Sequence, residues 1–181
     1  MKHSGTKTIK TERLTLRRFR ATDFFYALTW YRKKELCRFS ESRTKNNVIG
    51  TARFILGKII KYKNPDYYCW AITINNKIHG MIQAIPLCNK EDAFSFYYFL
   101  NPKLFSKGYM SEALIKVIEF MKDEGAQYIC CECDVDNIGS YKVMEKANMK
   151  RSSQIRKECF KYPDGRISDG YFYETKFNSG K

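Results

Sequence analysis

Residues 101–114, Asn-Pro-Lys-Leu-Phe-Ser-Lys-Gly-Tyr-Met-Ser-Glu-Ala-Leu, carry the most legible chemistry of the chain. The run holds one glycine and two lysines, and no acid precedes Glu112. Three residues after Ser111 stands Leu114 rather than Glu or Gln, so no capping box closes the helix that follows. Backbone N–H groups at a helix start have no partner inside the helix, and the helix dipole adds partial positive charge there. An uncapped start beside lysines suits an anion, above all phosphate. A solvated lysine pair in an ordinary loop is the plainer alternative, and one glycine does not decide between them.

A second cluster with chemical potential is Cys130-Cys131-Glu132-Cys133. Structural zinc takes four ligands at recognisable spacing, and the two histidines, His3 and His79, lie far off in sequence. Small apolar residues in a buried strand is the reading we adopt, with no metal. Lys plus Arg is 33 and Asp plus Glu is 19, a formal charge of +14. Such a charge favours an anionic partner. The basic residues are scattered rather than clustered, which argues against nucleic acid. The seven cysteines are odd in number and accompany no export signal, so the expectation is a reduced, cytoplasmic setting. No apolar run approaches the roughly 20 residues that span a bilayer, so no membrane is expected.

The elements that must position these residues follow from periodicity. The chain has 181 residues, 44% of them hydrophobic and 15% aromatic, which suits one domain with a sizeable core. Residues 1–8 read as a disordered lead-in and 9–181 as the domain. Residues 11–17 alternate as a strand does. Asp23 is a candidate cap for a helix over 24–32, a polar loop covers 40–47, and a second helix starts at Val48. Strands are predicted over 67–74 and 78–87, joined by a tight turn at Asn75-Asn76-Lys77. An aromatic strand spans 93–100. A helix follows over 111–124, with Ala113, Leu114, Val117, Ile118 and Met121 on one face and Gly125 at its stop. A strand over 127–135 and a helix from Asn137 to Ala147 come next, with Asn148 as a left-handed terminator. Two strands around Pro163-Asp164-Gly165 close the chain. The order β-α-α-β-β-β-α-β-α-β-β predicts an α/β (α+β) fold with one mixed, mostly antiparallel sheet covered by helices.

This order and four of its motifs resemble the GNAT superfamily of acetyl-CoA-dependent N-acetyltransferases. Within it, the chain looks like the RimJ/RimL-like branch that acetylates ribosomal-protein N-termini. Thr11-Glu-Arg-Leu-Thr-Leu-Arg17 resembles the branch's opening strand, and Ile78-His-Gly-Met-Ile82 its hairpin strand. The segment 101–113 resembles its pyrophosphate loop and following helix. Asn137-Ile-Gly-Ser140 with Val143-Met-Glu-Lys146 resembles its second cofactor motif. The resemblance implies that backbone amides across Lys107, Gly108, Tyr109, Met110 and Ser111 bind the pyrophosphate of coenzyme A. It implies that the pantetheine arm lies along Tyr98, Phe99 and Leu100 like an added strand, with Asn137 and Ser140 facing the arm and sulfur. Asn137 also suits a simple helix N-cap.

The chain departs from the family pattern where catalysis is concerned. Phe105-Ser106 stands in place of Trp-Gly, and Tyr97 in place of a glycine at a strand bulge. Ser95 replaces a frequent acid, and Met144 a frequent tyrosine. The implied reaction is direct attack of a primary amine on the acetyl thioester. Ser140, and less so Tyr141, is the candidate acid for the leaving thiolate. Glu132 and Asp134 share a strand face and are the candidate bases. A protein α-amine, with pKa about 8, loses its proton more readily than a lysine at about 10.4. The expected acceptor is a protein N-terminus or a small-molecule amine, and the protein a monomer or homodimer. The alternative expectation is a non-catalytic acyl-CoA-binding module. The aromatics Phe24, Phe25, Tyr26, Trp30, Tyr31 and Phe54 of the helix pair are expected mostly in the core.

Overall fold

The computed structural model describes residues 1–31, 33–39 and 47–177. The loop expected over 40–47 therefore lies outside them, save Asn47. In chain order the elements are β1 (Ile9–Lys10), β2 (Thr15–Arg17), α1 (Asp23–Ala27), α2 (Lys34–Cys37) and α3 (Val48–Lys61). The hairpin β3 (Tyr68–Ile74) and β4 (Lys77–Pro86) leads to β5 (Ala93–Leu100), a short turn of 3-10 helix, and α4 (Tyr109–Glu124). Then come β6 (Tyr128–Asp134), α5 (Ile138–Lys146), β7 (Lys150–Arg151), β8 (Arg156–Lys161) and β9 (Ile167–Lys176). The strands form one sheet in the order β1-β2-β3-β4-β5-β6-β9-β7, and β8 also pairs with β9. Every pairing is antiparallel except β5 with β6. The α/β, mostly antiparallel architecture is as the sequence predicts.

Strand alternation sorts the core onto two faces. Phe94, Phe96 and Leu100 of β5, with Ile129, Cys131 and Cys133 of β6, bury against Ala113, Leu114, Val117 and Met121 of α4. The opposite face packs Cys69, Ala71 and Met81 against Ala27, Trp30 and Ile55 of the α1–α3 layer. The α4 stripe is the one read from its spacing, and Gly125 ends that helix in the left-handed region at φ 101°. Asn75 and Asn76 turn the β3–β4 hairpin with φ of 48° and 60°, as two-residue hairpin turns require.

Several expectations are corrected. The opening strand is a hairpin: Leu14 N donates to Thr11 Oγ1 at 2.8 Å, and β1 pairs back on β2. That bond and one from Thr11 N to Leu14 O at 2.9 Å turn the chain where alternation alone predicts extension. Residues 1–8 are held rather than loose. Ser4 N donates to Glu124 Oε2 at 2.9 Å, and the buried Thr6 hydroxyl bridges Tyr67 O and Cys69 N, each at 2.8 Å. Helix α1 ends at Ala27, and Asp23 does not cap it. Asp23 instead accepts two hydrogen bonds from Arg17, at 2.8 and 2.7 Å, and a third from Arg20 N at 2.8 Å. Arg17 also reaches Asn76 O at 3.2 Å, so one buried pair ties β2, α1 and the β3–β4 turn together.

A buried ion pair adds little net stability, but removing one partner strands the other charge away from water. Asp23→Ala is therefore expected to cost about 3–5 kcal/mol in denaturant unfolding, and Asp23→Leu with Arg17→Met to recover most of that loss. Equal losses in the single and double variants would refute this account.

Candidate active site

The parallel pairing of β5 with β6 covers three residue pairs, Ala93–Tyr128, Phe94–Ile129 and Ser95–Cys130, and then stops. Beyond it β5 stays registered on β4 as far as Leu100–Gly80, while β6 stays registered on β9 as far as Asp134–Gly170. The two strands separate as a wedge. The β4–β5 register runs without a break through Gln83–Tyr97. No bulge occurs, so the side chain at Tyr97 is accommodated: its ring is half exposed and meets Phe99 at 6.1 Å.

The 101–114 segment runs on from β5 at the open end of the wedge. Asn101 N donates to His79 O at 2.6 Å, and Asn101 Oδ1 takes Lys103 N at 3.2 Å, which folds the chain into its 3-10 turn. Ser106 and Gly108 both occupy the left-handed region, with φ of 60° and 80°. Glycine adopts it freely, whereas an L-residue pays about 1–2 kcal/mol. Helix α4 begins one residue after Gly108 with no side-chain cap, and its first internal bond is Glu112 N to Gly108 O at 3.0 Å. The amides of Tyr109, Met110 and Ser111 precede that bond. The side chains of Met110 and Ser111 are buried, so these residues offer only backbone.

Three contacts from the β1–β2 turn clamp this helix start. Arg13 N and Nε donate to Glu112 at 3.0 and 2.6 Å, and the Thr11 hydroxyl donates to the same carboxylate. Arg13 Nη1 also holds Lys107 O at 3.1 Å, and its guanidinium lies 4.5 Å from the centre of the Tyr109 ring. Burial works against the Glu112 charge. The bonds from Thr11 and Arg13 outweigh it, so the Glu112 pKa falls below the usual carboxylate value. Sequence reading passes over this clamp because Arg13 and Glu112 are 99 residues apart.

A cavity of about 330 Å³ fills the wedge. Tyr98, Asn137 and Ser140 line it, as do Glu132 and Asp134. Asn137 Oδ1 caps α5 by accepting Ser140 N at 3.2 Å. The Tyr98 hydroxyl lies 3.1 Å from Ser140 O and 3.0 Å from Ser140 Oγ. Glu132 pairs with Arg156 Nη1 at 3.1 Å. Asp134 is buried, takes Asp136 N at 2.7 Å, and accepts the Tyr162 hydroxyl. Phe39 and Phe160 also line it; both come from distant segments, and no local signal marks them. Cys133 also faces the cavity, and burial pushes its thiol up to about 12. Cys130 and Cys131 pack as small core residues, in line with the reading of that strand.

Other expected residues stand apart from this group. Tyr141 sets its ring against Tyr171 at 5.7 Å. Phe99 turns to the other sheet face among Trp30, Tyr31 and Phe54. The Leu100 side chain is core. Met144 is fully buried. Phe25 and Tyr26 are exposed rather than core.

Comparison with known proteins adds a family to this geometry. Residues 13–150 match the model of the acetyltransferase (GNAT) domain. The uncharacterized N-acetyltransferase YnaD of Bacillus subtilis (strain 168) is 34% identical over 68 residues, 37% of this chain. The match spans 40% of that protein's length. Among solved structures, a GNAT-family acetyltransferase from Bacillus anthracis superposes with TM-score 0.80 at 25% identity, over 94% of this chain and 98% of that one. The microcin C7 self-immunity acetyltransferase MccE, solved with acetyl-CoA and AMP, gives 0.80 at 18% identity over 92% and 94%. The ribosomal-protein-S5-alanine acetyltransferase from Vibrio fischeri gives 0.82 at 17% identity over 97% and 99%. The matched span contains the wedge, the 101–114 loop and the start of α5, and the chain belongs to the GNAT acetyltransferase family.

Proposed function

We propose that the protein is an acetyl-CoA-dependent N-acetyltransferase that modifies a primary amine. The observation that carries the reading is the wedge between β5 and β6, flanked by the uncapped start of α4. The residues fit coenzyme A in three respects. The α4 start offers backbone donors beside Lys107, which suits a pyrophosphate. The parted β5 offers a strand edge to an extended arm. Asn137 and Ser140 line the cavity at the start of α5, where a thioester would lie. When bound, acetyl-CoA supplies the activated acetyl group.

The chain's own residues then have distinct tasks. Amides over 107–111 hold the diphosphate, and β5 backbone near Phe99 orients the thioester carbonyl and supports its developing charge. Ser140 gives a proton to the departing sulfur. Glu132 and Asp134 form an anionic wall on the opposite sheet face from α5, and take up the proton that the acceptor ammonium must lose. Holding both reactants in one cavity supplies much of the rate. Ser95 stands where relatives often have an acid and Met144 where they often have a tyrosine, so the carboxylates of β6 take the part of the base. The acceptor belongs to the protein N-terminus or small-amine class. The fold shared with a ribosomal-protein acetyltransferase favours the RimJ/RimL-like branch. A cytoplasmic setting and a single catalytic domain complete the proposal.

Calorimetry with acetyl-CoA, joined to a free-thiol assay over a panel of peptides and small amines, tests it. Binding with amine-dependent thiol release is the expected result. Binding without release from any amine points to the non-catalytic module, and no binding removes the reading. Gly108→Ala is expected to weaken acetyl-CoA about tenfold and to cost about 1–2 kcal/mol of stability. Its added methyl meets only Arg13 Nη2 at 3.4 Å, so the cause is the φ of 80° and not crowding. Ser106→Gly, which relieves the same backbone conformation, is expected to keep full affinity and not to lower the melting temperature.

A further inference from the structure

Tyr98 joins β5 to α5 across the wedge, and the reaction as drawn so far does not use its hydroxyl. Its ring packs against the core beside α4 and α5. Its hydroxyl end is desolvated, and that burial raises its pKa well above the usual tyrosine value. It therefore stays protonated and serves as a donor. Two acceptors compete for its single proton: Ser140 O at 3.1 Å and Ser140 Oγ at 3.0 Å. If Tyr98 donates to the carbonyl, the serine proton can point back at the phenol oxygen. If Tyr98 donates to Oγ, the serine proton is freed to point into the wedge. A small rotation of the phenol O–H separates the two arrangements. Cys133 also contacts the Ser140 hydroxyl, but as a buried neutral thiol it is a weak competitor for that proton.

We propose that Tyr98 is a positioning residue that, by donating to Ser140 Oγ, aims the serine proton at the donor's sulfur. The inference rests on the acetyl-CoA reading above. In the step it serves, the amine lone pair forms the N–C bond and the C–S bond breaks with its electron pair on sulfur. Sulfur takes the Ser140 proton. The serine oxygen regains one from the nitrogen, which must shed a proton to become an amide, directly or through water. Tyr98 keeps its own proton throughout and stabilises the charge that builds on Oγ, as a donor to a developing anion does.

Tyr98→Phe, Ser140→Ala and the double variant test the pairing by turnover, acetyl-CoA affinity and the ultraviolet titration of bound coenzyme A thiol. Ser140→Ala is expected to lower kcat about 100-fold. Tyr98→Phe, which removes one hydrogen bond, should lower it about tenfold, with acetyl-CoA Kd changed less than about threefold. The double variant should be no slower than Ser140→Ala alone, because both changes remove one function. The thiol of bound coenzyme A should titrate about one unit higher in either single variant than in the unaltered protein. Multiplying losses, an unaltered rate in Tyr98→Phe, or an unmoved thiol titration would each overturn the proposal. Binding without turnover in the unaltered protein sinks the transferase reading alone, since the thiol titration still reports on the pair. No binding at all sinks both.

Discussion

The constraint on which the rest of this structure depends is the early end of the β5–β6 ladder. Each of these strands has a full antiparallel partner on its outer side, β4 for β5 and β9 for β6. Both of those ladders continue past Ser95–Cys130, where the parallel pairing between them ends. Backbone polar groups along a parted strand need partners from water or from something laid beside them. The wedge thus opens between two intact antiparallel ladders. The unbroken register through Tyr97 makes the same point, because no bulge is present to force the strands apart.

Around that wedge the electrostatics are local, not global. The chain carries a formal +14, yet the wedge itself presents Glu132 and Asp134. Arg156 pairs with Glu132 there, and further cationic side chains sit at the mouth. Arg13 and Lys107 flank the α4 start, and Arg13 is half engaged by Glu112. The net charge conveys none of this, since exposed charges beyond about 10 Å are largely screened.

The loop before α4 shows how strain and support are matched. Ser106 adopts a φ of 60° that favours glycine, and it does so beside Gly108 at 80°. Such conformations persist where the surroundings over-determine them. Here Arg13 holds Lys107 O, Thr11 and Arg13 hold Glu112, and Asn101 folds the preceding turn. Bonds from the β1–β2 turn thereby fix the loop. The Thr11 side chain takes part in both, accepting Leu14 N in the turn and donating to Glu112 in the clamp.

The sequence by itself determined the elements whose signals are local. The α4 stripe, the Asn75–Asn76 turn, the Asn137 cap, left-handed Asn148 and the aromatic strand all follow from spacing or from one residue's conformational preference. The loop at 101–114 and the β6 carboxylates were legible as candidates for the same reason. Only the tertiary structure decided which candidates meet. Tyr141 and Met144 share a helix with Ser140, but that helix's rotation turns one to Tyr171 and buries the other. Asp23 reads as a cap, yet a buried Arg17 six residues earlier outbids the helix amides with two charge-assisted bonds. Phe39, Phe160 and the Arg13 clamp reach the site over long loops of chain. Periodicity reports which face a residue lies on, but not what the fold brings opposite it.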